Sequence, residues 1–139
     1  MDTRGRTPSR IVLDAAARAD MLQHAREEAP NECCGLLIGR RGSVERSVRA
    51  RNLQPGPARY LIDPLDHFAA IRSARSQGQQ VVGAYHSHPA SPPAPSESDI
   101  AEATGARDFL YVIVSPAGGE LRGYYLRGRE VIAVELAAA

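Results

Sequence analysis

"GAYHSHPASPPAPSESDI", Gly83 to Ile100, puts two of the chain's four histidines one residue apart at the end of an apolar run, and follows them with a proline-rich loop, Ser96 and Asp99. Along a strand side chains alternate faces, so His86 and His88 point the same way and Ser87 points opposite. That spacing suits two ligands of one metal. Zinc in catalytic sites takes three protein ligands from His, Asp or Glu and keeps one position for water, so a carboxylate is needed beside the two imidazoles. Asp99 lies eleven positions beyond His88, in what would be the first turn of a following helix. The intervening loop carries Pro92, Pro93 and Pro95, and a stiff loop can hold that turn near the strand end. A second reading stands beside this one: an H-x-H pair at a strand end also occurs as polar surface, and Ser96 with Asp99 has the S-x-x-D form of a capping box. The two readings are compatible, because a cap residue can present its neighbours to a metal.

Other chemistries built on H-x-H fit less well. A cupin-like iron site supplies a glutamate shortly after the second histidine, where this chain has Ser91, Pro92 and Pro93. A zinc deaminase needs H-x-E and a later P-C-x-x-C, and neither occurs. His24 and His67 fall within helical patterns without partner motifs and read as ordinary helix histidines.

Outward from this stretch, strands and helices interleave. "RIVL" reads as a short strand, and Asp14 as the cap of a helix through "AAARADMLQHAREEA" that ends at Pro30. "CCGLLIG" and "SVERSVRA", joined by "RRG", read as a hairpin. "NLQPGPAR" is a loop, and "YLI" after it a short edge strand. Asp63 and Pro64 open a helix, "PLDHFAAIRSARSQG", stopped by Gly78, in which Leu65, Phe68, Ala69 and Ile71 to Ala74 recur at helical spacing. "VVGAYHSH" is the next strand and "SESDIAEATG" a short helix; "FLYVIVS", "ELRGYYLRG" and "EVIAVEL" are three further strands. This order describes an α/β or α+β sandwich around one sheet.

The 139 residues suffice for one core, so we expect a flexible tail over residues 1–9 and a single domain over residues 10–136. With 17 Lys and Arg against 16 Asp and Glu, net charge is +1, which offers no electrostatic excess for nucleic acid or an anionic membrane. Asp14 and Arg18 interrupt the first apolar segment before an export signal forms, and no run reaches the about 18–20 apolar residues of a membrane helix. The expected location is the cytoplasm. Cys33 and Cys34 are adjacent and form no C-x-x-C pair, so they read as small buried strand residues, not as a disulfide framework or thiolate site.

"HSHPASPPAPSESD" has the form H-S-H, seven residues, S, two residues, D, and so resembles the JAMM signature of the MPN+ (Mov34/MPN/PAD-type) zinc metallopeptidases at every spaced position. "NECCGLLIGR" is similar to the family's glutamate-bearing strand, and the resemblance covers nearly the whole chain in element order. It implies the MPN/JAMM fold, a central mixed sheet flanked by helices in a three-layer arrangement like that of cytidine deaminase. It implies one Zn²⁺ per chain held by His86, His88 and Asp99, with catalytic Glu32 and supporting Ser96. On the residues alone, Glu32 at a strand start also reads as a solvent-facing charge. The chain resembles the small prokaryotic single-domain members, which cleave a peptide or isopeptide bond after the C-terminal Gly-Gly of a ubiquitin-like or sulfur-carrier protein. Non-catalytic MPN-type interaction modules are the alternative class, and these usually lack part of the ligand set.

Overall fold

In the computed structural model, which describes residues 7–103 and 106–139, each helix begins at a side chain able to cap it. The elements are β1 (Arg10–Leu13), α1 (Ala15–Glu28), β2 (Cys34–Arg40), β3 (Ser43–Ala50), α2 (Pro64–Ser76), β4 (Gln80–Ser87), α3 (Glu97–Ala101), β5 (Leu110–Ser115), β6 (Glu120–Arg127) and β7 (Glu130–Ala138). Asp14 accepts from the Ala17 N–H at 3.0 Å to start α1. Asp63 accepts from the Leu65 N–H at 2.9 Å, with Pro64 at the first position of α2, where no amide hydrogen is required. Gly42 takes φ 80° in the β2–β3 turn, a conformation that L side chains resist.

The sheet is mixed and closes on itself in the order β1-β3-β2-β4-β5-β6-β7. β1 is the closing strand, parallel both to β3 and to β7. At the centre β2 runs antiparallel to β4, and β4 runs parallel to β5. These central strands are apolar without alternation because both faces are covered. Leu37, Tyr85, Val112 and Val114 pack with Ala17, Met21 and Ala25 of α1. Leu36, Ile38 and Ala84 pack with Ala70 and Ala74 of α2 on the other face. The expected mixed sheet flanked by helices is therefore present. Among the described residues no helix is long and apolar enough to cross a membrane.

Two expectations need correction. Tyr60–Ile62 forms no strand; it makes one antiparallel bridge, Asn52 to Ile62, because the chain between is a loop containing Pro55, Gly56 and Pro57. In α2 the packing face is Ala70 and Ala74, whose small size lets the helix lie close, whereas Leu65 and Phe68 are 74% and 59% exposed. At the described end of the expected tail, Ser9 O accepts from the Glu135 N–H at 3.0 Å and Thr7 Oγ1 donates to Asp108 at 2.6 Å. Residues 1–6, and the Thr104–Gly105 end of the expected helix "SESDIAEATG", lie outside the described residues. Cys33 and Cys34 are buried and unbridged, as expected.

One close approach ties this core to the strand that carries the histidines. Gly35 stands opposite Tyr85 on β4, and a Cβ there would run into the Tyr85 ring and the Val48 carbonyl. The Tyr85 hydroxyl lies 2.7 Å from His24 Nδ1, so the ring is held at both ends and cannot easily move aside. Gly35→Ala is therefore expected to lower stability by about 1–3 kcal/mol through overpacking, read as a drop in the urea midpoint at unchanged slope.

Candidate metal centre

β4 delivers His86 to the α2 face of the sheet, in register with Cys34 of β2 and Ile113 of β5. Ser87 faces the other way and has a structural task. Its hydroxyl accepts from the Cys33 N–H at 2.8 Å, while its own N–H donates to Cys33 O at 3.2 Å. This pair extends the β2–β4 ladder past the end of β2 and brings Glu32 alongside the histidines. His88 follows just beyond β4, anchored by its N–H to Val114 O at 2.9 Å.

The loop then turns Asp99 back onto them. Ser96 is the N-cap of α3 in a reciprocal capping box: Ser96 Oγ accepts from the Asp99 N–H at 3.1 Å, and Asp99 Oδ2 accepts from the Ser96 N–H at 2.9 Å. The same Oδ2 lies 3.1 Å from His86 Nε2 and 3.1 Å from His88 Nε2, and the two Nε2 atoms lie 3.1 Å apart. Ligands on a tetrahedral zinc at about 2.0–2.2 Å stand about 3.3–3.5 Å from one another. The triangle is of that size.

Protons alone do not satisfy this arrangement. Pro92 O lies 2.8 Å from His88 Nδ1, which must therefore carry the hydrogen, so neutral His88 turns an Nε2 lone pair toward the carboxylate. One hydrogen on His86 Nε2 serves only one of its two neighbours. His86 Nδ1 is buried and, among the described residues, has no partner. Burial holds His86 below the usual histidine range, favouring the neutral ring a metal requires. For Asp99 burial acts upward, but the bonds to His86 and His88 outweigh it and hold the carboxyl far below the ordinary carboxylate range. For His88 burial acts downward and is outweighed by Asp99, so its affinity for a proton rises. A divalent cation at the centre resolves all three. The residues fit the group.

Glu32 is 5% exposed, and its Oε1 is buried without a partner among the described residues. One carboxylate oxygen lies in a cluster with ring nitrogens of His86 and His88, all within 4.8 Å of one another. Burial pushes its carboxyl up to about 7; Asp99 adds to the rise and His88 opposes it. The structure thus gathers Glu32, His86, His88, Ser96 and Asp99, all of them expected from sequence. Cys34, in register with His86, is buried, and burial pushes its thiol up to about 12. His24 and His67 lie elsewhere, in α1 and α2.

Sequence reasoning missed two residues. Tyr60 stacks on the His86 ring at 4.3 Å between centroids and 17° between planes, walling the site. Asn52 ties the loop carrying Tyr60 to the backbone of Glu32. The sequence signal for Asn52 was its place at the entrance to a Pro/Gly loop, where an Asn side chain commonly binds nearby backbone. For Tyr60 no local signal exists. A cavity of about 440 Å³ is lined by Arg40, Val81 and Leu110 at the opposite ends of β4 and β5 and lies away from this chemistry.

Residues 14–126 match the family described as prokaryotic homologs of the JAB domain. The chain is 40% identical over 121 residues to a desampylase of Haloferax volcanii, covering 81% of this chain and 85% of that protein. It is 37% identical over 119 residues to the CysO-cysteine peptidase of Mycobacterium tuberculosis, covering 82% and 81%. A Desulfitobacterium hafniense protein solved in solution superposes with TM-score 0.83 at 33% identity, covering 93% of this chain and 92% of that one.

Two outcomes follow from the geometry. Equilibrium dialysis against Zn²⁺ should give one ion per chain, and His88→Ala should abolish it while leaving the fold intact; stoichiometric metal in that variant would overturn the ligand set. In the metal-free protein the Glu32 carboxyl is raised from 4.5 to about 7, so the folded state favours its protonated form. The contribution of this carboxyl to stability should be greatest below about pH 4.5, fall as pH rises toward 7, and level off above. Glu32→Gln should remove that decline and make the metal-free chain more stable at pH 8 by about 1–2 kcal/mol, allowing for partial solvent screening.

Proposed function

The chain belongs to the family of prokaryotic homologs of the JAB domain, and from that membership and the site geometry we propose that it is a zinc-dependent metallopeptidase acting after the C-terminal Gly-Gly of a ubiquitin-like or sulfur-carrier protein. The observation that carries this reading is the 3.1 Å triangle of His86, His88 and Asp99 with a buried, unpartnered glutamate oxygen beside it. The names desampylase and CysO-cysteine peptidase of two relatives bring in the carrier class.

His86 Nε2, His88 Nε2 and Asp99 Oδ2 would hold the ion. When bound, zinc lowers the pKa of a coordinated water toward about 7 and polarises a substrate carbonyl. Glu32 orients the attacking water through Oε1, takes its proton and hands it to the nitrogen of the departing amine. A carboxyl raised to about 7 suits both halves of that task near neutral pH. Ser96 Oγ already accepts from the Asp99 N–H, and in this reading its own proton is left to donate to the oxyanion as the carbonyl becomes tetrahedral. Ser98 Oγ, 3.1 Å away, competes for that proton in the resting site. Tyr60 over His86 narrows the approach, and glycines let a tail come close where side chains would be refused.

The test is a carrier ending in Gly-Gly extended by one residue, with products weighed by mass spectrometry. Release of the terminal residue, blocked by a chelator, is expected. Cleavage that ignores replacement of the two glycines by valine would show a general peptidase and defeat the carrier assignment. Glu32→Gln should keep its zinc yet lose about 10²- to 10⁴-fold in turnover. Ser96→Ala should keep zinc and lose about 10²-fold; loss of zinc there would make the serine purely the holder of Asp99.

A further inference from the structure

The Glu32 carboxylate is aimed without help at its tip. Its Oε1 is buried and no described residue bonds to it, so the direction of the side chain is inherited from its backbone. Glu32 also precedes β2, and the Ser87–Cys33 pair that extends the β2–β4 ladder stops one residue short of it, so its own N–H and C=O lie outside ladder pairing. Those two groups are held by the loop at residues 53–60 on one side and by Asn52 on the other. The Glu32 N–H donates to Gly56 O at 2.7 Å, and Glu32 O accepts from Asn52 Nδ2 at 3.1 Å.

The Asn52 side chain uses every polar valence it has. Nδ2 also donates to Arg59 O at 3.3 Å, and Oδ1 accepts from the Gln54 N–H and the Leu61 N–H, each at 2.9 Å. One amide therefore ties the entry of the loop, its exit and the peptide of Glu32 together. The residue between Arg59 and Leu61 is Tyr60, whose ring lies on His86. The loop has no helix or ladder of its own beyond the Asn52–Ile62 bridge, so without this side chain little else fixes its shape.

We propose that Asn52 is a positioning residue that sets the Glu32 carboxylate and the Tyr60 wall together, by clamping the 53–60 loop to the Glu32 peptide. The inference rests on Glu32 being the proton-transfer group. It goes beyond that reading in assigning the aim of Glu32 to a residue that touches neither metal nor substrate.

The test uses the full chain with Asn52→Asp and Asn52→Ala. Aspartate keeps the acceptor for Gln54 and Leu61 but removes both donors, so it cuts the link to Glu32 at nearly constant shape. In hydrogen exchange the Glu32 amide should open at least about tenfold faster in both variants, with β4 amides unchanged; the Gln54 and Leu61 amides should open faster in Asn52→Ala only. With the extended carrier, kcat of Asn52→Asp should fall about 10- to 100-fold with KM little changed, as expected for a displaced catalytic group. Zinc should remain at one per chain. Wild-type kcat in Asn52→Asp, or an unchanged Glu32 amide, would overturn the proposal. So would a loss of activity that merely follows lost zinc or accelerated exchange in β4, since Asn52 would then be only structural. If the wild-type protein cleaves no carrier, the substrate assignment fails by itself, and Glu32 amide exchange still decides the clamp.

Discussion

Two imidazole nitrogens and a carboxylate oxygen held 3.1 Å apart in a buried pocket cannot all be satisfied by protons, and the fold is arranged to hold them there regardless. Each is supported from behind. β4 is bonded along both edges, by β2 and β5, so the His86 backbone has nowhere to retreat. His88 is held by Val114 through its backbone and by Pro92 through its ring. Asp99 is held by the Ser96 amide. The Pro92 bond on the far side of the His88 ring fixes its tautomer and direction, which is how a protein prepares a metal site before the metal arrives.

Stability and chemistry pull in opposite directions at Glu32. A buried carboxyl with no donor at Oε1 favours its protonated form, a cost that a surface glutamate does not carry. The same isolation is what a proton carrier needs. A salt-bridged glutamate would be ionised far below neutrality and would pass its proton on readily but take one from water poorly. The core bears the cost through strands covered on both faces, with Leu36, Leu37 and Ile38 of β2 fully buried. The continuous apolar run that identifies this strand in the sequence is also what lets its leading end carry a strained charge.

Much of this was legible before the structure because the decisive signals are local. The His86 and His88 spacing, the caps at Asp14, Asp63 and Ser96, and the unbroken apolar runs of β2 and β5 depend on neighbours within a few residues. The rest depends on approach through space. "YLI" has strand composition, but Asn52 bonds Leu61 N–H with a side chain where a ladder would use backbone. In α2 the apolar spacing includes Leu65 and Phe68 along with Ala74, while the face packed on the sheet is Ala70 and Ala74 and the two larger side chains are exposed. Tyr60 stands 26 positions before His86 in the chain, and only the folded loop brings the rings together.

The capping box shows why the two sequence readings of Ser96 and Asp99 need not compete. α3 spans only Glu97–Ala101 and buries no residue, so neither propensity nor packing would keep it helical. Its start is fixed instead by the exchange between Ser96 and Asp99, after a loop in which Pro92, Pro93 and Pro95 reduce the freedom lost on folding. The cap orders the helix, and in ordering it leaves Asp99 Oδ2 facing both histidines. A helix of one turn persists here because it is the mount of a ligand: the hydrogen bond that makes it a helix is also the one that aims the carboxylate.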